Sequence, residues 1–544
     1  MRAIDWFQSR RMPPHYRAHQ TAPMADAKAN PFIRSLLRPA AYPHDTAEIR
    51  YLETHISWVL LTGPYAYKIK KPVTLGFLDF STIDLRKHYC DEELRLNRRW
   101  APEIYLGVVE VRGSPEAATI GGTGSLIDYA VKMKQFPQSA RLDAQLAAGT
   151  LDYEDMRSLA TMLAAKHRVA DIKMPDILDS VSKPMMDNFD DIAKHYDRSL
   201  LHSLKTWTVI ALSRLHSNLD ERRDHGFIRE CHGDLHLANL VHLESGITAF
   251  DCVEFSAKLR NIDVISDVAF LVMDLVGRQR SDLAYEFLNR YLEYSGDYDG
   301  MRLFDLYFVY HCLIRAKIAV IRGSERSDSL EARADEDELL HYLGVAKDCV
   351  SRASPLVIVM HGFSGSGKTW MSDQLMWALP AVRVRSDLER KRLHGYGDTE
   401  SSGSAIGQGI YTDTASNAVH ERLAEITTVL AESGHNTIID ASFLKMAERK
   451  RFRDLATRLG ATFLIIDANA SKSELVARLQ SRRGDASEAD VDVLEHQFSV
   501  ADPLTTDELA TTISINTEAS AEIEACIRQI QNRSGASGAS IEWL

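Results

Sequence analysis

The sequence predicts an α+β domain of two lobes followed by an α/β domain built on a parallel sheet. Three observations carry this prediction. First, His232-Gly233-Asp234-Leu235-His236-Leu237-Ala238-Asn239, with Asp251 beyond it, has the residue order of a phosphoryl-transfer catalytic loop. Second, Gly362-Phe363-Ser364-Gly365-Ser366-Gly367-Lys368-Thr369 fits the phosphate-cradling pattern G-x-x-x-x-G-K-[ST]. Third, the pattern resets at Pro355, from mostly helical to short apolar runs alternating with helices, which implies parallel strands with crossover helices.

The chain has 544 residues, too many for one ordinary core. Hydrophobic residues at 45% and charged residues at 26% are ordinary globular values. A net charge of -12 argues against a general nucleic-acid or membrane-surface binder, since no basic excess meets phosphate polyanions. The 6 cysteines (Cys90, Cys231, Cys252, Cys312, Cys349 and Cys526) show no C-x-x-C pairing, so neither a metal cluster nor a disulfide framework is expected. No apolar run reaches the ~20 residues of a membrane helix. Residues 1–29 lack the apolar core of a signal peptide and are expected to form a disordered leader, with Met24 an alternative start. A cytoplasmic protein is expected.

In chain order, Pro31–Leu37 predicts a short helix. Ser57–Thr62 and Tyr65–Lys70, punctuated by Gly63-Pro64, predict a hairpin. A charged helix over Leu85–Trp100 carries Glu92, Glu93 and Asn97, and strands follow at Tyr105–Val111 and Asp128–Lys134. Tyr153–Val350 reads as mostly helical, interrupted by a strand–loop–strand at Ile228–Phe255. Ser324–Glu338, acidic and Arg-rich, reads as a solvated helix or connector. Beyond Pro355 the strands are Leu356–Met360, Ala381–Arg385, Asn436–Asp440, Thr462–Ile466 and Thr512–Asn516. The expected domains are 30–350, with lobes at about 30–135 and 136–350, and 355–532, with a flexible tail over 533–544.

Phosphoryl transfer needs an aligned acceptor hydroxyl, a group to take its proton and a metal to neutralise phosphate charge. Asp234 stands where the base is required, and Asn239 and Asp251 where Mg²⁺ is held. The ordered set resembles the aminoglycoside phosphotransferase (choline kinase-like) family of protein-kinase-like folds, over about Asn30 to Val350. The resemblance implies an APH-type bilobal domain in which Asp267 steadies the catalytic loop. It also implies that Lys68 meets nucleotide phosphates and pairs with Glu93. Lys70 shares the strand face of Lys68, so either is a candidate, and an exposed lysine pair is the plain alternative. Lys132–Phe136 would be the strand-to-hinge segment beside adenine. One departure is the lack of a G-x-G-x-x-G ahead of Lys68, where Thr54-His55-Ile56-Ser57 stands instead.

In the C-terminal half, Gly362, Gly365 and Gly367 allow backbone N–H groups, including those of Ser364 and Ser366, to point at a phosphate on a helix N-terminus. Lys368 would bridge phosphates and Thr369 would ligate Mg²⁺. Asp387, after the second strand, is expected either to face the acceptor hydroxyl as base or to cap the helix Leu388–Leu393. Arg385 and Arg390 are candidates to bind an anionic or polyol acceptor. Asp440 ends an apolar strand and is a candidate Mg²⁺ residue through water. Arg478 and Arg482, one turn apart, resemble with Arg483 a lid over the transferred phosphate, against the alternative of a solvated arginine face. Arg385-Ser386-Asp387-x-x-Arg390-Lys391, Ile439–Phe443 and Arg482-x-x-Asp485-Ala486-Ser487 resemble the AAA_33 / zeta-toxin-like kinases, related to gluconate kinase and the 5′-polynucleotide kinase P-loop domain, over Pro355 to Asn532.

The whole arrangement resembles bacterial bifunctional aminoglycoside phosphotransferase / AAA ATP-binding proteins. It implies an ATP- and Mg²⁺-dependent phosphotransferase with nucleotide at two sites and small hydroxylated acceptors. Alternatives are one catalytic domain with a nucleotide-sensing partner domain, or a toxin-like or stress-related kinase acting on a nucleotide sugar or a protein. Phosphorylation of nucleic-acid 5′ ends is disfavoured by charge, and the oligomeric state has no signature in the sequence.

Overall fold

The computed structural model describes residues 30–46, 48–75, 78–176, 178–325, 329–398, 400–404, 408–481, 487–519 and 522–533. The expectations for the leader, the tail, Arg482, Arg483, Asp485 and Ala486 fall outside the described residues. Contacts divide the chain into two compact units, one holding 30–187 with Leu219–Asp274 and the other Asn188–Asn218 with 275–533 of the described chain.

The first unit begins with α1 (Pro31–Leu36), whose first turn is capped by Asn30. Strands β1 (Arg50–Glu53), β2 (Ser57–Leu61) and β3 (Tyr65–Lys70) follow, then the small ladder of β4 (Thr74–Leu75) with β5 (Leu78–Asp79). Thr54–Ser57 makes the β1–β2 turn, Ser57 N–H donating to Thr54 Oγ1 at 3.0 Å. Helix α2 (Ile83–Arg98) starts two residues before the expected Leu85 because Thr82 is its cap, its hydroxyl accepting from Leu85 N–H. With β6 (Tyr105–Arg112), β7 (Thr119–Ile120) and β8 (Leu126–Lys134), the sheet order is β1-β2-β3-β8-β6-β7, antiparallel throughout. Strand β3 is central and buried, so Lys68 and Lys70 are not the exposed pair of the plain alternative.

Helices α3 (Leu142–Ala148), α4 (Tyr153–Val169) and α5 (Lys183–Ala193) come next, α4 opening on an Asp152/Asp155 capping box. After α6 (Ser199–Arg214), which belongs to the second unit, and α7 (His216–Asp224), the predicted strand–loop–strand is two small antiparallel ladders. They join β9 (Ile228–Glu230) to β12 (Asn261–Asp263), and β10 (Leu240–Leu243) to β11 (Gly246–Ala249). The short α8 (Ala257–Arg260) and α9 (Val264–Gly277) complete this region.

The second unit joins helices to the parallel sheet. α10 (Ser281–Ser295), α11 (Met301–Glu325) and α12 (Ser329–Val350) precede β13 (Leu356–His361). Where it is described, the Ser324–Glu338 segment is helical and mostly exposed, as expected of a solvated helix, and it is tied down at two points. Asp335 is buried, and it pairs with Arg322 at 2.9 Å while Glu338 pairs with Arg315 at 3.1 Å, stitching α12 to α11.

From β13 the chain alternates through α13 (Lys368–Ala378), β14 (Ala381–Arg385), α14 (Ser386–Leu393), α15 (Asp413–Glu432), β15 (Asn436–Asp440), α16 (Met446–Arg458) and β16 (Thr462–Asn469). It ends with α17 (Lys472–Ser481), α18 (Val491–Val500), α19 (Thr506–Leu509), β17 (Thr512–Asn516) and α20 (Glu522–Arg533). Every neighbouring pair in the order β14-β15-β13-β16-β17 is parallel. Ile358, Met360, Ile438, Leu464, Ile466 and Ile513 form the core beneath α13 and α20. Covered on both faces, β13 reads as an uninterrupted apolar run rather than an alternating one.

Candidate functional site

In the first unit the β10–β11 hairpin brings the two ends of the catalytic loop together, Phe250 N–H donating to Asn239 C=O at 2.9 Å. Asn239 Nδ2 donates to Asp234 Oδ2 at 2.9 Å and to Asp234 C=O at 3.0 Å, which fixes the Asp234 carboxylate. Beneath the loop, Asp267 accepts the backbone N–H groups of His232 and Gly233 at 2.8 and 2.9 Å. Burial pushes its carboxyl upward, but the bonds from His167 and His232 outweigh it and hold the group below the usual range. His167, Cys231 and Asp267 lie close enough for metal ligation. Asp267 is already committed to the loop N–H groups and Cys231 is buried with its thiol pushed well up, so the cluster reads as a scaffold.

Lys68 Nζ lies 2.9 Å from Glu93 Oε1 and 2.5 Å from Asp251 Oδ1. Lys70 Nζ lies 2.8 Å from Glu93 Oε2 and also meets Glu254. Both lysines therefore pair with Glu93, but only Lys68 is joined to Asp251 among their ion pairs. Burial disfavours the charged form of Glu93, yet the two ammonium groups win and hold its carboxyl at about 2. Asp251 has φ 63, a left-handed conformation rare for a residue with a side chain. It is held there by Tyr105, whose phenolic oxygen accepts Asp251 N–H at 3.0 Å. Asn97 Oδ1 accepts Cys252 N–H at 2.9 Å while its Nδ2 donates to Glu93 C=O. Tyr105, Glu254 and Asp274, which accepts Leu237 N–H, have no mark in the sequence. Asn97 follows Glu93 by one helical turn, and that spacing alone puts the two on one face. The Lys132–Phe136 segment ends β8, and Phe136 packs edge-on against Phe250 with ring centres 5.1 Å apart.

In the second unit the Gly362–Thr369 loop joins β13 to α13. Gly362, Gly365 and Gly367 have φ of 135, 82 and 89. A Cβ on Gly362 would lie 2.4 Å from Ala468 O, and one on Gly365 2.8 Å from Leu475 O, so the loop is pressed against its backing. Lys368 Nζ donates to Phe363 C=O at 2.8 Å. Ser364 N–H donates to Gln497 Oε1 at 2.8 Å, and the Ser366 hydroxyl is buried. Arg478 is no solvated arginine. Its Nη1 donates to Gly365 C=O at 3.3 Å and to Thr517 Oγ1 at 2.9 Å, and Thr517 donates on to Ser366 C=O. It braces the loop from α17.

Asp440 ends β15, where the Thr369 hydroxyl is among the groups that favour its charged form. Burial lifts its carboxyl, opposed by Arg385 at 3.7 Å and by Arg383 and Lys368. Asp387 is not the helix cap of the alternative reading. Helix α14 begins at Ser386 with Arg385 at the cap position, so Asp387 lies within the first turn. Arg390 donates to Ile410 C=O at 2.9 Å and stacks 5.1 Å from the ring centre of Tyr411. Gln497 and Thr517 carry no motif that marks them.

The phosphotransferase enzyme family model (APH) matches residues 139–304, and an AAA domain model (AAA_33) matches 357–504. Uncharacterized proteins of Mycobacterium tuberculosis (strain ATCC 25618 / H37Rv) and Mycobacterium bovis are 28% identical over 457 residues, 81% of this chain and 88% of theirs. Among solved structures, an ethanolamine kinase of Plasmodium vivax is similar at 11% identity and TM-score 0.35, over 56% of this chain and 84% of that one. A choline kinase of Cryptosporidium parvum is similar at 11% and 0.36, over 56% and 90%. A gluconokinase of Sinorhizobium meliloti is similar at 18% and 0.24, over 34% and 94%. The chain is thus a kinase-type phosphotransferase in which a protein-kinase-like domain of the APH family precedes a P-loop kinase domain of the AAA_33 family.

Proposed function

We propose that the chain is an ATP-dependent phosphotransferase with two nucleotide sites, each moving a γ-phosphoryl group to a small hydroxylated acceptor. The observation that carries this reading is that each half holds a complete set of phosphate-handling side chains. One set is Lys68–Glu93–Asp251 with Asp234–Asn239, and the other is the glycine cradle with Lys368, Thr369 and Asp440.

The donor sets fit Mg²⁺. Asn239 and Asp251 offer hard oxygen ligands in the first site, as do Thr369 and Asp440 in the second. When bound, the ion would neutralise charge on the phosphate oxygens. At the first site Asp234 accepts the proton of the acceptor hydroxyl. That oxygen bonds to the γ-phosphorus while the bond to the bridging oxygen of the departing ADP breaks. Asn239 orients Asp234, and Lys68, held by Glu93, meets the phosphates. At the second site Lys368 and the loop N–H groups hold the phosphates, and Asp387 takes the acceptor proton. Arg385 and Arg390 suit an anionic or polyol acceptor.

Among the described residues no helix is long and apolar enough to cross a membrane. All six cysteines are free and buried, which supports a reducing, cytoplasmic setting. Isothermal titration with MgATP tests the two-site reading. Two equivalents per chain are expected, one lost in Lys68→Ala and the other in Lys368→Ala. A single equivalent in the unaltered chain would contradict it.

A further inference from the structure

The family model for the P-loop domain begins at residue 357, yet the compact unit that contains it begins earlier and includes α10. Strand β14 is the edge of the parallel sheet, and an edge strand presents unpaired backbone groups. Here Asn289 of α10 serves as the missing neighbour. Its Oδ1 accepts Arg383 N–H at 2.6 Å and its Nδ2 donates to Ala381 C=O at 3.0 Å. A fully buried carboxamide thus reproduces the donor and acceptor of one strand residue.

The charge at the centre of β14 is also answered from α10. The Arg383 side chain is 0% exposed, and its guanidinium donates to Glu293 Oε1 at 2.6 and 3.0 Å. Its other arm reaches Asp373 at 2.6 Å and Ser372 at 3.1 Å, both on α13. Arg290 joins the cluster, 2.7 Å from Glu293 and 3.2 Å from Asp373, while Trp377 Nε1 donates to Glu286 at 2.7 Å. Arg392 of α14 donates to Glu293 C=O, and Gly296 at φ +73 leaves room for it, since a Cβ there would lie 2.8 Å from Arg392 Nε. Burying a charge is tolerated only when it is paired and hydrogen-bonded. Without Glu293, Arg383 would keep one carboxylate partner in place of two.

These contacts fall on the two elements that carry the P-loop site. α13 opens with Lys368 and Thr369, while β14 runs directly into the turn that presents Asp387. We propose that Asn289 and Glu293 are positioning residues of the P-loop kinase, acting through Arg383 to hold the β14–α14 turn at which Asp387 meets the acceptor. The P-loop site is then built from two parts of the chain, and a domain cut at Pro355 lacks one wall of its support. The proposal rests on the reading of Asp387 given above.

The test uses the full chain carrying Asp234→Ala, so that ATP turnover reports the P-loop site. The probe is MgATP with water as acceptor. Glu293→Gln is expected to lower kcat about tenfold, with the KM for ATP within about twofold and the melting temperature above the assay temperature. Glu293→Gln added to Asp387→Asn is expected to lower turnover no further, because both act at one step. Hydrogen exchange at 381–393 is expected to rise in both Glu293→Gln and Asn289→Ala. Unchanged kcat in Glu293→Gln, or additive loss with Asp387→Asn, would overturn the proposal. If Asp387→Asn itself leaves turnover unchanged, or no turnover depends on Lys368, the reading of Asp387 fails instead. The exchange at 381–393 then decides whether α10 holds the turn, and unchanged exchange would overturn that as well.

Discussion

Lys68 and Asp251 meet at 2.5 Å across 183 residues of sequence, one from the middle of a sheet and the other from the end of a hairpin. The pair separates the roles of the two β3 lysines. Lys68 reaches the loop that carries Asp251, whereas Lys70 is enclosed with Glu93 and Glu254. Lys68→Met should therefore cost about 10²-fold or more in turnover at the first site. Lys70→Met should leave two buried carboxylates facing each other and cost about 3–5 kcal/mol of stability in urea titration. The reverse pattern would exchange their roles.

The Asp234 carboxylate accepts a hydrogen bond from Asn239 at 2.9 Å and lies 3.5 Å from His236 Nε2. Asp234→Asn should remove the base and lower turnover at this site about 10²–10⁴-fold, leaving nucleotide affinity in place. Asn239→Ala should lose both turnover and Mg²⁺ dependence. Steady-state kinetics across Mg²⁺ concentration separate the two.

Two glycines of the second unit share a backbone conformation and differ in surroundings. Gly365 (φ +82) would place a Cβ against Leu475 O, while Gly434 (φ +80) has nothing within 4 Å. Alanine at either position costs about 1–2 kcal/mol of left-handed strain. Only Gly365→Ala should also abolish nucleotide binding at the P-loop, as read by titration with MgADP in the Lys68→Ala background.

His435 gives a pH dependence with a defined sign. Arg352, always a donor, lies 2.9 Å from His435 Nδ1, so that nitrogen must be the acceptor and the ring neutral. Burial, with Arg352 beside it and against Asp305, lowers its value from 6.5 to about 4. A lowered folded value means that the unfolded chain takes up the proton first. The resulting stability is full above pH 6.5 and is lost as pH falls toward about 4, up to about 3 kcal/mol. His435→Asn should flatten that slope in denaturant titrations between pH 7 and 4. An unchanged slope would place the titration elsewhere.

The parts of this molecule legible in the sequence are those whose chemistry is local. Gly362–Thr369 between an apolar strand and a helix declares its own geometry, as does the His232–Asn239 loop with Asp251. What escaped is what depends on partners distant in sequence. Tyr105 holds Asp251 through a phenol that alternation alone placed as a strand residue. Arg383 reads as one more residue of β14, because nothing near it in the chain tells that Glu293 and Asn289 complete its surroundings. Asp387 read first as base and second as cap, and the start of α14 at Ser386 removed the cap.

The central claim is that both halves transfer phosphate. ATP turnover should be measured across sugars, amino alcohols, aminoglycosides and nucleosides for the unaltered chain, Asp234→Ala and Lys368→Ala. Each variant should lose a different acceptor-dependent activity and keep the other. Loss of all turnover in either variant alone would contradict the claim and make one half a nucleotide sensor for the other.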